Sequence, residues 1–407
     1  MYFSISLFWY ILKFMNNKSR EVVILSASRT PIGTYKGALK NTKADQLGSI
    51  VIRDVLKKTN LNPDQIDEVI IGQVLTSASG QNPARQAAIN AGISVSKPAH
   101  LINQVCGSGL RSIISGYQSI LLGDSNTIIA GGQECMSLAP HSIFYREEKK
   151  LDEESLVDTM IHDGLMDAFN NYHMGVTAEN ISKKFNIDRE TQDLFAFNSQ
   201  MKAKKAINEK KFDKEIVKIK KDDNSYLLET DEHPRPNLLI SDLSKLKPVF
   251  DKNGTVTAGN SSGINDGAAA IIMSTSEVAK KNSIEPLAKI ISWATTGVDP
   301  AYMGLGPIEA IKLAIKKAHW NLKDIDLFEI NEAFAAQSIA VIEELKIDKE
   351  IVNVNGGAIA LGHPIGASGT RILVTLIHEM KKQNKKKGCA ALCIGGGMGI
   401  AMCIETI

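Results

Sequence analysis

The chain has 407 residues, 43% of them hydrophobic and 23% charged, with a net charge of +2. That length exceeds the roughly 250–300 residues at which single cores stop growing, so two or three domains are expected. The balanced charge gives no global field for nucleic acid or an anionic membrane, and five cysteines without a CxxC pair point to reduced thiols in a cytoplasm-like compartment.

The chain opens on MYFSISLFWYILKFMNNK. Its apolar run of about eleven residues is short of the roughly 18 needed to span a bilayer. It lacks a basic start, a small-residue cleavage site and arginines, so it fits neither a secretory signal nor a presequence. Residues 1–14 read as an extension upstream of Met15, and residues 1–19 are expected to lie outside the fold.

REVVILSASRTPIG then reads as a strand ending in a Pro/Gly turn, and LGSIVIRDVLKKTNL as a helix. NPDQIDEVIIGQV is a turn and a buried strand, GQNPARQAAINAG a loop, and LRSIISGYQSILLGD a helix. DSNTIIAGGQE closes this half with a strand. Residues 137–249 break the pattern with charge runs, among them REEKKLDEES and KAKKAINEKKFDKEIVKIKKDD. The lysine run reads as a solvated helix face and a charged hairpin rather than a nucleic-acid patch. DRETQDLFAFNSQMKAKKAI has helical spacing, with Asp188 placed as its N-cap.

After the insertion the early order returns. AKIISWATTG is a strand, PIEAIKLAIKKAHWNL a helix, KDIDLFEINEAF a turn and strand, TRILVTLIHEMKKQN a helix and GCAALCIGGG a strand. NLNPDQIDEVIIG and NLKDIDLFEIN share an Ile-Asp pair before the strand. Two related α/β halves are therefore expected, each a mixed sheet with helices packed in layers. The bounds are residues 20–136 and 250–285 for the first half, 137–249 for an inserted loop domain and 286–407 for the second half.

Chemistry concentrates in three glycine-rich turns: NQVCGSGL with Cys106, ALGHPIGASG with His363, and LCIGGGMG with Cys393. Glycine lets backbone N–H groups approach a reacting carbonyl where a Cβ would clash. Cys106 falls between a strand and a helix, where the helix N-terminus favours a thiolate. CGSG alone is a weak signal, because buried cysteines usually act as small hydrophobes. A lone loop histidine is as readily structural, and Cys393 alone reads as a core thiol. Three glycines after Cys393 have no evident packing use, which favours a catalytic position. Asn331-Glu332, a polar pair ending an apolar strand, suggests a site. A thiol nucleophile, a histidine and a second thiol together suggest acyl chemistry on a thioester.

From Arg20 onward the chain resembles the thiolase family. SASRTPIG, GQNPARQA, NQVCGSG, HMGVTAEN, TAGNSSGINDGA, NEAFA, GHPIGASG and CIGGGMG occur in family order, a far more specific signal than any one of them. The resemblance implies two similar βαβαβαββ halves in a five-layered α/β/α/β/α core with an inserted loop domain. It implies reversible Claisen condensation of two acetyl-CoA to acetoacetyl-CoA and CoA, with coenzyme A as substrate and product and no separate cofactor or metal. Cys106 resembles the acylated nucleophile, and Cys393 the acid/base cysteine at the methyl group of the second acetyl-CoA. His363 resembles the histidine that activates Cys106 and binds the thioester oxygen, and Asn331 the residue holding a water in that oxyanion hole. The N–H groups of Cys106 and Gly395 would form a second hole.

Leu165, His173, Met174, Phe250, Met303 and Phe334 resemble the small acyl pocket of the acetoacetyl-CoA branch. Ser262 matches a contact to pantetheine, and Arg235 a position near the adenine. A turn serine and an exposed arginine are their blander readings. A broad-range degradative 3-ketoacyl-CoA thiolase would share every catalytic residue; a decarboxylating condensing enzyme would lack Cys393. The family also implies a homo-oligomer, a dimer of dimers, in the cytoplasm, with no nucleic-acid or membrane partner. REEKKLDEES departs from the family by lacking glycines beside the tetramer-forming loop, which leaves dimer or tetramer open.

Overall fold

Val22–Arg29, here β1, is buried along its whole length. Such a continuous apolar run is what a strand covered on both faces requires. The computed structural model describes residues 20–145 and 156–407. The N-terminal extension and REEKKLDEES lie outside the described residues, and so do the readings attached to them.

In the first half the other strands are β2 (Glu68–Gly72), β3 (Ala99–Ile102), β4 (Thr127–Cys135) and β5 (Asn265–Thr275). The second half supplies β6 (Ala288–Gly297), β7 (Leu327–Ile330), β8 (Lys387–Ile394) and β9 (Met398–Thr406). The strands follow one continuous order, β7-β8-β9-β6-β1-β5-β4-β2-β3, with Gly33–Thr34 pairing onto β5, and each half contributes one part of it as its own sheet. The halves meet at β1 and β6 through only Val23↔Lys289 and Ile24↔Ala288. Each half repeats one pattern. β2 runs parallel to β4, which is antiparallel to β5, which is antiparallel to β1. β7, β8, β9 and β6 do the same. Even the edge strand β3 has a trace in the second half, where Val352 bridges in parallel to Phe328.

The helices make the other layers. α1 (Ala44–Thr59) and α2 (Pro83–Asn90) cover the outer face of the first sheet. α3 (Ser108–Leu122) and, from the second half, a helix at Ser368–Gln383 share the central core between the two sheets. Gly306–Lys317 and Ala335–Leu345 cover the outer face of the second sheet. The expected five layers are present.

GQNPARQAAINAG is not a loop: it carries α2. Pro83 occupies the first turn, where its missing N–H costs nothing, and the Asn82 side chain accepts the Arg85 N–H. Met174–Phe185 and Arg189–Asn208 form the helical part of the insertion, α4 and α5. Asp188 caps α5 as expected, accepting the Thr191 N–H at 2.8 Å, a cap worth about 1 kcal/mol. The charged hairpin is also present, as Ile219–Lys220 against Tyr226–Leu228. Arg29 of the SASRT segment is fully buried and fastens the insertion to β1 through Glu215 at 2.5 Å and Asp231 at 2.7 Å. Among the described residues no helix is long and apolar enough to cross a membrane.

Candidate active site

The three glycine-rich turns converge. Cys106, His363, Cys393 and Gly395 line one cavity of about 370 Å³. Every residue expected at the acyl and CoA sites lines it too: Leu165, His173, Met174, Arg235, Phe250, Ser262, Met303 and Phe334. Asn331 stands behind this wall, with its amide nitrogen 3.4 Å from His363 Nε2.

Cys106 precedes α3 on a strained turn. Val105 has φ +44°, an outlier for a β-branched residue. Side chains hold it there. Asn103 Oδ1 accepts the Val105 N–H at 3.0 Å, while Ser108 Oγ donates to the Val105 carbonyl at 2.6 Å and accepts the Gln104 N–H at 2.8 Å. The result directs the thiol to the cavity, with the N–H groups of Gly395 and of Cys106 itself hydrogen-bonded to it. The helix N-terminus does not dominate the thiol's acidity as expected. Burial pushes the thiol up to about 11, outweighing the two N–H groups, and Glu134 adds to the rise. The resting nucleophile is a neutral thiol that needs a proton acceptor.

His363 is nearly buried and sits in the loop between Ala358–Leu361 and the helix at Ser368–Gln383. Its Nδ1 lies 2.6 Å from Ser368 Oγ, and that hydroxyl lies 2.9 Å from the Pro364 carbonyl. The hydroxyl has one proton and gives it to the carbonyl, so Nδ1 carries a proton and Nε2 is a free base. Burial, reinforced by Arg371, holds the imidazole down at about 3. It is neutral and able to accept.

Cys393 ends β8 with its side chain in an apolar cluster that includes Met174, Met303, Ala333 and Phe334. Burial, and then the nearby Cys106, push this thiol well above its ordinary range. The glycines beside it have a partly different explanation from the one expected. Gly396 and Gly397 take φ +84° and +83° in the turn joining β8 to β9, a region few other residues tolerate. Turn geometry accounts for those two, while the Gly395 N–H faces the nucleophile.

Asn331 follows β7 and donates its N–H to the Ala391 carbonyl at 2.9 Å. Its Oδ1 is buried without a partner among the described residues. His173 has two jobs: its Nδ1 accepts the Gly175 N–H to start α4, and its ring stacks on Phe250 at 4.6 Å. Phe250 meets Phe334 edge-on at 6.5 Å. The cavity wall therefore combines aromatic rings and methionines with aliphatic residues and glycines, and Arg235 is its cation.

Sequence reasoning missed Met136, His233 and Ile365, which also line the cavity. Ile365 lies inside the GHPIG turn and Met136 directly follows β4, so both had a positional signal. His233, held down at about 4 by burial and then by Arg235, had none. Cys135, Cys389 and Cys403 are buried and do not line the cavity. Among the described residues no group of three or more His, Cys, Asp or Glu is placed to hold a metal.

Comparison with known proteins gives the family and the fold. Residues 22–277 match the family model described as "Thiolase, N-terminal domain", and residues 284–406 match "Thiolase, C-terminal domain". An acetyl-CoA acetyltransferase of Cupriavidus necator is 52% identical over 389 residues, covering 95% of this chain and 99% of that one. The cytosolic acetyl-CoA acetyltransferase of Rattus norvegicus is 51% identical over 395 residues, 96% of this chain and 100% of its own. Among solved structures, the Bacillus anthracis acetyl-CoA acetyltransferase superposes with a TM-score of 0.93 at 43% identity, over 96% of this chain and 100% of that one. Human mitochondrial 3-ketoacyl-CoA thiolase in complex with CoA gives 0.91 at 40% identity, over 95% and 98%.

Proposed function

This chain belongs to the thiolase family, and from that premise we propose that it is an acetyl-CoA C-acetyltransferase. It joins two acetyl-CoA into acetoacetyl-CoA and free CoA, reversibly and by a ping-pong route through acetyl-Cys106. The observation that carries this reading is the meeting of Cys106, His363 and Cys393, from three separate turns, on one small apolar cavity.

Each step has a group suited to it. Cys106 Sγ attacks the thioester carbonyl as its proton moves to His363 Nε2, and CoA leaves as the thiol by taking the proton of Cys393, which becomes a thiolate. The free Nε2 and the neutral imidazole support the transfer to His363. The negative oxygen formed on Cys106 is stabilised by the N–H groups of Cys106 and Gly395. The Cys393 thiolate then removes a proton from the methyl group of the second acetyl-CoA and is a thiol again. The resulting enolate oxygen accepts hydrogen bonds from the protonated Nε2 of His363 and from a water held by Asn331, and its carbon attacks the acetyl group on Cys106. Breaking the bond to sulfur releases acetoacetyl-CoA, and the Cys106 thiolate takes its proton back from His363 Nε2.

Met174, Met303 and Phe334 close the acyl end of the cavity, which supports a short acyl group. Ser262 and Arg235 are assigned to the pantetheine and adenine ends of CoA. CoA is substrate and product, so the reaction needs no further cofactor. We further propose a cytoplasmic homo-oligomer, either a dimer or a dimer of dimers. The experiment that tests the substrate is thiolysis of acetoacetyl-CoA against an eight-carbon 3-ketoacyl-CoA. A steep preference for the shorter one supports the proposal, and equal rates would make the enzyme a broad-range degradative thiolase.

A further inference from the structure

His363 belongs to the second half of the molecule and Cys106 to the first, so their alignment depends on contacts that cross between halves. Two fully buried side chains of the first half reach the histidine loop. Asn265, at the start of β5, accepts the His363 N–H at 2.9 Å through Oδ1 and donates through Nδ2 to the Gly33 carbonyl at 3.0 Å. Glu134, near the end of β4, accepts the Gly366 N–H at 2.9 Å and the Val74 N–H at 3.0 Å through Oε2. Its Oε1 accepts the Leu75 N–H at 3.2 Å.

The loop is shaped to meet these groups. Gly362 sits at φ +105°, and a Cβ there would lie 2.6 Å from the Asn265 amide, so glycine alone allows the approach. Glu134 is a costly group to bury. Its partners are backbone N–H groups, the nearby Asp266 is a like charge, and burial pushes its carboxyl up to about 7. A side chain needed only to fill space would carry no such desolvation cost. Neither residue lines the cavity, so neither touches substrate.

We propose that Asn265 and Glu134 are positioning residues for acyl transfer, clasping the His363 loop to the half that carries Cys106. The inference rests on His363 being the proton acceptor for that step. The imidazole is then fixed at three points: its backbone N–H by Asn265, its Nδ1 by Ser368, and the turn beyond it by Glu134.

The test is single-turnover acetylation of the full-length protein by acetyl-CoA, quenched and read by mass on the Cys106 peptide. Asn265→Ala and Glu134→Gln should each slow the acetylation rate constant by roughly 100-fold, the scale of a small misplacement of a reacting group. The fraction of Cys106 that can be acetylated, and the KM for acetyl-CoA, should stay near those of the unmodified protein. Asn265→Ala added to His363→Ala should cost nothing further, since a clasp has no role once its imidazole is gone. An unchanged rate constant with a lower acetylatable fraction would mean that the pair serves stability alone. Multiplying losses in the double variant would equally overturn the proposal. Should Glu134→Gln not fold, the Asn265 cycle decides the matter, and failure of both to fold would assign them to stability and overturn it. Acetylation at the unmodified rate in His363→Ala would instead remove the premise that His363 is the acceptor.

Discussion

The amide nitrogen of Asn331 lies 3.4 Å from Nε2 of His363, although the two residues are 32 positions apart. β7 delivers one and the GHPIG turn the other, so both can face the same developing negative oxygen. Losing one oxyanion donor typically costs about 10²- to 10³-fold in kcat. Asn331→Ala should lower kcat on that scale with a smaller change in KM, measured by steady-state condensation. Unchanged kcat would remove Asn331 from the oxyanion site.

Stability should report the neutral state of His363. Its folded value of about 3 lies below the ordinary 6.5. Between the two, the unfolded chain binds a proton that the folded protein does not, so stability falls as pH drops below 6.5 and goes on falling towards 3. Above 6.5 the group adds no slope. At pH 5 the loss amounts to about 2 kcal/mol. In urea unfolding, His363→Ala should therefore lose about 2 kcal/mol less than the unmodified protein between roughly pH 7.5 and 5. Equal losses would show that the folded protein does not hold this imidazole neutral.

Substrate length tests the cavity wall. Met174, Met303 and Phe334 are all nearly buried and line the same cavity as Cys106. A misfit of one methylene in such a pocket changes discrimination by about 10- to 200-fold. Thiolysis should fall steeply from the four-carbon to the eight-carbon 3-ketoacyl-CoA, and Met174→Ala should narrow the gap. A variant that leaves the ratio unchanged would move the acyl site away from Met174.

Much of this was legible before the structure, for identifiable reasons. Most strands of both halves are continuous apolar runs bounded by turn residues, so their order and the internal repeat could be read. Two long strands escaped, β5 and β9, each beginning inside a glycine-rich segment, and the other pieces that escaped are short or locally ambiguous. α2 spans eight residues behind a Gln-Asn-Pro turn, and β3 is four residues on a sheet edge. At the site, Cys106, His363 and Cys393 carried glycine signatures. Asn265 and Glu134 also lie beside glycines, in GINDG and GGQE, but their roles depend on contacts between halves far apart in sequence. The acidity of Cys106 was misjudged for a similar reason. A helix N-terminus is visible in the sequence, but the surrounding protein that desolvates the thiol is not.

The two thiols should separate by step. Cys393 lies on β8, apart from the strained turn that holds Cys106, and under the proposed mechanism it is indispensable only for the second substrate, because a CoA thiolate can leave without an acid. Cys393→Ala should still acetylate Cys106 in a single turnover yet fail to form acetoacetyl-CoA. A variant that condensed two acetyl units at nearly the unmodified rate would exclude the acid/base role.

The central claim is that Cys106 is the acylated nucleophile. It is the one cysteine of the five that is not fully buried, and it sits between the two N–H groups that would hold the oxyanion. Peptide mass spectrometry after brief incubation with acetyl-CoA tests this most directly. One acetyl group on the Cys106 peptide, absent from Cys106→Ser together with nearly all activity, is the predicted result. An acetyl group on Cys135 or Cys389, or full activity in Cys106→Ser, would contradict it.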